Sequence, residues 1–118
     1  MEIKELTRAE EQVIQVLWKL KKAFVKEIID ELPEPKPAYN TVSTIIRILE
    51  SKGFVAHEAF GKSHRYYPLI SMEDYKSFAT GKLLNNYFGN SVESMFSFFV
   101  KEEKIDLKED DEIMKLIE

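Results

Sequence analysis

The sequence predicts a mainly α-helical chain that carries one small antiparallel β-hairpin and ends in a helical arm. Three observations support this fold class. Residues 1–53 contain three segments with helical hydrophobic spacing, residues 54–69 are rich in strand formers around a Gly-Lys turn, and the rest returns to helical spacing. We expect two parts, a first domain in residues 1–70 and a helical region in residues 71–118.

The composition excludes several classes of protein. Hydrophobic residues make up 44% of the 118 residues, which is enough for a folded core. The absence of cysteine excludes disulfide scaffolds, cysteine-based zinc sites and thiol nucleophiles. No apolar run approaches the ~20 residues that span a bilayer, and the charged N-terminus is unlike a signal peptide. We therefore expect a cytoplasmic protein with no membrane insertion.

The net charge of −4 is unevenly distributed along the chain. Residues 1–70 hold eleven basic and ten acidic residues, whereas residues 71–118 hold six basic and eleven acidic ones. Because the acidic excess lies in the second part, the net charge does not exclude a locally basic surface on the first.

Two helices are predicted before residue 34. Thr7 and Glu10 have the spacing of a capping box, which predicts a helix that starts here and runs to about Leu20. A shorter helix fits Val25–Leu32, and the prolines that follow it end that helix and favour an extended connection.

The stretch Ala38–Gly53 predicts a third helix with two unlike faces. Its apolar residues recur at helical spacing, as Val42, Ile45, Ile46 and Leu49. Its other face carries short polar side chains and one guanidinium, namely Asn40, Thr41, Ser43, Thr44 and Arg47. Such side chains can read base edges or contact phosphates. Taken alone, the stretch fits a buried Ser/Thr-rich helix equally well.

The residues after the third helix predict a β-hairpin. Two strand-forming runs flank the turn at Gly61-Lys62-Ser63, so the hairpin covers residues 54–68. Three helices followed by a hairpin are the layout of a winged helix-turn-helix, with a recognition helix at about 40–52 and a wing at about 54–68. We expect Lys62 and Arg65 at the tip of the wing, near phosphates, although a plain solvated hairpin tip is the alternative.

The second part predicts three amphipathic helices. Ser71 and Ser91 are expected N-caps, and Gly89-Asn90 separates the first two helices. Three short helices cannot bury so many aromatic and aliphatic side chains alone, so we expect a second copy about a two-fold axis, with folding back onto the first domain as the alternative. The predicted dimerisation residues are Phe78, Leu83, Tyr87, Phe88, Val92, Met95, Phe96, Phe99, Ile113, Leu116 and Ile117.

Four segments of the chain resemble the penicillinase repressor family, which includes the methicillin-resistance repressors. They are LTRAEEQVIQVLW (6–18), VKEIIDEL (25–32), YNTVSTIIRILESKGFV (39–55) and GKSHRYYPLIS (61–71). The resemblance implies a homodimeric winged-helix repressor that binds a palindromic operator in double-stranded DNA and blocks transcription. The residues expected to bind DNA are Tyr39, Asn40, Thr41, Ser43, Thr44, Arg47, Lys62 and Arg65.

The chain departs from this family in two respects. Family members that are regulated by β-lactam sensors are inactivated by proteolysis at an Asn-Phe bond in the arm. The resemblance therefore implies a protease linked to a membrane sensor as a further partner. The matching pair here is Phe98-Phe99, so the Asn is missing and the usual cleavage is in doubt. Copper-responsive members use a cysteine cluster, which this chain lacks. The inducing signal is therefore open.

Nothing in the sequence indicates an enzyme. The only histidines, His57 and His64, lie on the two strands of the hairpin, and a two-residue turn would place His64 opposite Ala59 and away from His57. No phosphate-binding glycine loop is present. We expect no catalytic residue, no metal and no cofactor. The open alternatives are a regulator with a ligand pocket between its arms and a module that binds protein.

Overall fold

The structure is a computed structural model that describes residues 3–102 and residue 116. The chain divides into two compact units, Met1–Ser77 and Phe78–Glu118. The elements in chain order are α1 (Arg8–Leu20), β1 (Ala23–Phe24), α2 (Val25–Glu31), α3 (Tyr39–Ser51), β2 (Val55–Phe60), β3 (Ser63–Pro68), α4 (Met72–Phe88) and α5 (Val92–Lys101). The division at residue 70 stays a prediction.

The start of α1 has the predicted capping box. The Glu10 N–H donates to Thr7 Oγ1 at 3.2 Å, and the Thr7 N–H donates to the Glu10 carboxylate at 2.9 Å. Two N–H groups that the first turn leaves without helical partners are thereby satisfied. This cap fixes where α1 begins and so which of its faces packs inward.

The core of the first unit lies between its helices and the sheet. Its fully buried large side chains are Phe54, Ile14, Leu17, Ile28, Ile46, Leu49, Val13, Val42 and Val55. The start of α4 closes one side, because the ring of Tyr75 packs edge-on against Phe54 with centroids 5.6 Å apart. The Tyr75 hydroxyl also accepts a buried hydrogen bond from the Leu6 N–H at 3.1 Å.

The sheet has three antiparallel strands in the order β1-β3-β2, one more than the predicted hairpin. Strand β1 pairs with β3 through Ala23 opposite Tyr66 and Phe24 opposite Arg65. A strand of two residues is too short to show the alternation of apolar and polar residues by which strands are predicted, so β1 is defined only by its pairing with β3. The predicted turn is present, with Gly61 at a φ of +63° between the last paired residues, Phe60 and Ser63.

The helices α4 and α5 start at the predicted serines. The Ser71 side chain accepts from the Asp74 N–H at 3.0 Å, and the Ser91 side chain accepts from the Ser94 N–H at 3.1 Å. Between the two helices the chain turns at residues 89–90, both of which have positive φ. The predicted last helix lies outside the described residues except for Leu116, which is helical and exposed.

Candidate nucleic-acid interface

Helix α3 is held against the core by one face. Val42, Ile46 and Leu49 are fully buried, and an extended Ala38 precedes the helix. After its last turn, Gly53 adopts a φ of +84°, a conformation that glycine reaches without steric cost. Because positions i, i+4 and i+7 are anchored, the opposite face of α3 is fixed toward solvent.

The outward face of α3 presents most of the residues expected to bind DNA. Those that are exposed are Tyr39, Asn40, Thr41, Thr44 and Arg47. The Thr44 hydroxyl donates to the Asn40 carbonyl oxygen one turn earlier, at 2.9 Å. That hydroxyl proton is therefore used within the helix, whereas the Asn40 amide and most of the Arg47 guanidinium are free for an external partner.

The sequence predicted that Ser43 lies on this outward face, but in the structure it does not. It is only 8% exposed, because it sits beside Val42 and one turn before Ile46, at the edge of the buried stripe. Its Oγ accepts a hydrogen bond from Arg47 Nη2 at 3.0 Å. The geometry gives Ser43 the role of orienting Arg47, a neighbour four residues along the helix.

The wing places its two basic residues differently. Lys62 is exposed in the turn between β2 and β3, as expected. Arg65 is not at the tip but within the central strand β3, half-buried, with Glu58 opposite it on β2 and Phe24 opposite it on β1. Lys62 is therefore the basic group that the tip itself carries.

The two histidines of the wing are in contact, which the sequence analysis did not expect. The predicted register is correct, with His64 opposite Ala59 and His57 opposite Tyr66. However, the two imidazole rings stack with centroids 4.1 Å apart and planes 10° apart. His57 and His64 are diagonal neighbours on one face of the antiparallel pair, a spacing that ring side chains can span. His57 Nδ1 is also hydrogen-bonded to Glu50 Oε2 of α3 at 2.7 Å, which ties the wing to the helix.

Tyr66 lies behind this contact and is almost fully buried. Burial raises the pKa of its hydroxyl, the negative charge of Glu50 raises it further, and the positive charge of Arg47 acts in the opposite direction. Tyr66 therefore stays neutral through the physiological range, and the only acidic side chain of α3, that of Glu50, is engaged by His57.

A groove of about 440 Å³ runs beside the start of α3. Its lining residues come from β1, α2, α3 and the wing, and they are Phe24, Val25, Lys26, Glu27, Tyr39, Phe60, Ser63 and His64. Phe24 and Phe60 meet edge to face with centroids 5.8 Å apart. Phe60 and Ile48 are exposed and were not among the residues expected to bind DNA. For Ile48, on α3, the signal in the sequence is its position outside the apolar stripe of the helix.

Other classes of site find no support in the described residues. Residues 3–102 and 116 contain no group of three histidine, cysteine or carboxylate side chains that could hold a metal ion. Within the same residues, no helix has the length and apolar character needed to cross a membrane.

The second unit carries the residues predicted for dimerisation, and several of those that the structure describes are exposed. Leu83, Tyr87, Val92 and Leu116 are exposed. Phe78, Phe88, Met95, Phe96 and Phe99 are half-buried, and α5 has no buried residue. Ile113 and Ile117 lie outside the described residues. Within residues 3–102, helix α5 therefore exposes apolar side chains to solvent.

Comparison with known proteins gives consistent results. A protein-family model described as "Penicillinase repressor" matches residues 6–118. The methicillin resistance regulatory protein MecI of Staphylococcus aureus (strain N315) is 27% identical over 114 residues, which cover 96% of this chain and 93% of that protein. The penicillinase repressor of Bacillus licheniformis is 26% identical over 117 residues, which cover 98% of this chain and 91% of that one.

A solved structure is similar as well. The solution structure of the DNA-binding domain of the repressor BlaI shares 31% sequence identity with this chain at a TM-score of 0.55. The match covers 63% of this chain and 92% of that domain, which confirms the predicted winged-helix fold. The family is one of repressors and not of enzymes, in agreement with the expectation from the sequence. From its match over residues 6–118, the chain belongs to the penicillinase repressor family.

Proposed function

We propose that this protein is a cytoplasmic, homodimeric transcriptional repressor that binds a palindromic operator in double-stranded DNA. The observation that carries the proposal is the outward face of α3. It combines free amide, hydroxyl and guanidinium groups with no free carboxylate, and it stands beside a hairpin whose tip carries Lys62. The names of the relatives, which describe a regulatory protein, a penicillinase repressor and a repressor's DNA-binding domain, support the same function.

In this proposal α3 lies in the major groove and reads bases. Asn40 suits adenine and Arg47 suits guanine, since each can make two hydrogen bonds to the edge of that base, and Thr41 adds a hydroxyl. The bond from Arg47 to Ser43 holds the guanidinium before DNA arrives, so less side-chain entropy is lost on binding.

Contacts to phosphates position the protein without reading sequence. Lys62 at the wing tip contacts the backbone beside the groove that α3 enters. Tyr39 at the start of α3 and Arg65 on β3 are proposed as further backbone contacts. Because Arg65 is half-buried opposite Glu58, its contribution is expected to be smaller than that of Lys62.

The second unit is proposed to form the dimer. A palindrome presents the same half-site twice, and a two-fold dimer presents α3 twice in matching orientation. The half-sites are then expected about one duplex turn (~34 Å) apart, or a multiple of it. The uncovered apolar side chains of α4 and α5, such as Leu83, Tyr87 and Val92, supply the surface for this contact.

The proposal is tested by selecting genomic DNA fragments with the purified full-length protein at two salt concentrations. We expect an enriched palindrome, bound by a dimer in sedimentation experiments, whose log affinity falls with log salt by about 0.9 for each phosphate contact. Arg47→Ala should reduce this selectivity. Arg8 is an exposed arginine on α1, so Arg8→Ala serves as the matched control. A dimer that enriches no fragment contradicts the DNA-binding function.

A further inference from the structure

Helix α3 carries an exposed aliphatic side chain on its otherwise polar outward face. Ile48 is 41% exposed, although the other aliphatic residues of the helix are buried or half-buried. It lies one turn after Thr44 and next to Arg47, among the residues proposed to contact DNA.

Thr44 extends this apolar surface. Its hydroxyl donates to the Asn40 carbonyl oxygen at 2.9 Å, so the hydroxyl proton is used within the helix, and the methyl group is the apolar part of Thr44 that an external partner can contact. Thr44 and Ile48 are four residues apart, about 6 Å along the helix axis at ~1.5 Å per residue. We call the Thr44 methyl group and the Ile48 side chain the apolar strip.

We propose that the apolar strip reads thymine, by packing against the 5-methyl groups that thymine exposes in the major groove. This inference rests on the proposed function, because it requires α3 to lie in that groove. The thymine methyl is the apolar group that the major-groove edges of the four bases present. Cytosine at the same place carries only a hydrogen at C5, so the apolar contact with Ile48 is lost, and its amino group replaces the O4 carbonyl oxygen of thymine beside that contact.

The size and surroundings of the apolar strip favour DNA over a protein partner. One isoleucine and one methyl group are far smaller than the buried centre of a protein–protein interface. The strip is bordered by Asn40, Thr41 and Arg47, which suit base edges and phosphates and would need partners of their own in an apolar contact.

The test uses the operator recovered by the selection above and a set of duplexes in which one thymine at a time is replaced by deoxyuridine. This replacement removes only the methyl group. We expect the wild-type protein to bind about fourfold more weakly at one or two positions in each half-site, which is ~0.8 kcal/mol for one buried methyl group. At the other thymines the affinity should not change.

Ile48→Ala should bind the thymine operator more weakly and should no longer distinguish deoxyuridine from thymine at the sensitive positions. In the double-mutant cycle, the two changes are then non-additive. Ile48→Val should keep part of the sensitivity, which guards against a folding defect in the alanine variant. Leu69→Ala, an exposed residue outside α3, is the control and should behave as the wild type.

The outcomes separate this inference from the function on which it rests. A wild-type protein that binds its operator but tolerates deoxyuridine at every position overturns the inference and leaves the repressor function intact. The same holds if Ile48→Ala folds and retains the full wild-type sensitivity to deoxyuridine. A protein that prefers no duplex over a shuffled one contradicts the repressor function itself, and this inference with it.

Discussion

The ion pair between Glu10 and Lys52 joins the start of α1 to the end of α3, and its removal is the sharpest test of how α3 is held. Lys52 Nζ lies 2.7 Å from Glu10 Oε1, and the two side chains are 24% and 6% exposed. The same carboxylate oxygen accepts the Thr7 N–H of the capping box. One nearly buried carboxylate therefore serves the helix cap and the contact between two helices.

The perturbation is Glu10→Gln, which removes the charge and keeps an oxygen that can accept from Thr7. Exposed ion pairs contribute ~0–1 kcal/mol and breaking a fully buried one costs ~3–5 kcal/mol. Since Lys52 is partly exposed and can turn toward water, we expect a loss of about 1.5–3 kcal/mol in the free energy of unfolding, the range of hydrogen bonds to charged groups. Glu10→Ala also removes the capping contact and should cost about 1 kcal/mol more.

The assay is urea unfolding of the full-length variants at one protein concentration, because the stability of the proposed dimer would depend on concentration. The matched control is Glu31→Gln. Glu31 forms an ion pair of similar length with Lys19, at 2.8 Å, but both side chains are exposed, and no measurable loss is expected. If Glu10→Gln is as stable as Glu31→Gln at pH 7, the proposed role of the buried carboxylate is wrong.

The same pair predicts a pH dependence. Burial raises the pKa of Glu10, but the hydrogen bonds from Lys52 and Thr7 and the charge of Lys52 outweigh burial and leave this pKa below its ordinary value of 4.5. A carboxyl with a lowered pKa in the folded state contributes its full stability above the unfolded pKa and loses it as the pH falls through the folded one. The difference between wild type and Glu10→Gln should therefore be constant from about pH 5.5 to 7 and shrink below about pH 4.5. An undiminished difference at pH 3.5 contradicts the assigned cause.

Three further predictions concern the site, the core and the dimer. Arg47→Ala should weaken specific DNA binding by ~1–3 kcal/mol, as measured by fluorescence anisotropy, and Ser43→Ala should weaken it by a smaller amount. If both variants bind with the affinity of the wild type, Arg47 does not read a base. Tyr75→Phe keeps the ring contacts but leaves the buried Leu6 N–H without that acceptor. Thermal unfolding should therefore show a loss of ~1–3 kcal/mol in the free energy of unfolding, and an unchanged melting temperature would contradict a stabilising role of this hydrogen bond. Val92→Asp introduces a carboxylate at the first residue of α5, where its negative charge is favourable for the helix but unfavourable in the proposed apolar interface. Sedimentation should therefore detect monomers, and an intact dimer would refute that interface.

Local signals in the sequence determined most of the elements of this fold. The capping box at Thr7, the serines that start α4 and α5, and the Gly61-Lys62 turn each depend on bonds between residues at most three positions apart. Such bonds are encoded in short segments and do not require the rest of the chain. The hydrophobic spacing of α3 likewise indicated which of its faces is buried, because helical geometry alone relates Val42 to Ile46 and Leu49.

Tertiary structure decided the features that depend on residues distant in sequence. Strand β1 exists only through its pairing with β3, forty residues later in the chain. The half-buried position of Arg65 follows from β1 as well, since this third strand makes β3 central. The sequence alone therefore predicted the position of Lys62 correctly, at a turn, but it placed Arg65 at the wing tip, whereas Arg65 lies within the central strand β3.

The details of the candidate interface were also decided by packing. Periodicity placed Ser43 outward, yet a residue at the border of a buried stripe is exposed or covered according to what packs beside it. The register of the wing was predictable from its turn, whereas the stacking of His57 on His64 depends on how both rings lean across the sheet. Helices and tight turns arise from interactions between near neighbours and can be predicted from sequence, but strand pairing and the exposure and orientation of a side chain depend on elements that are distant in the chain.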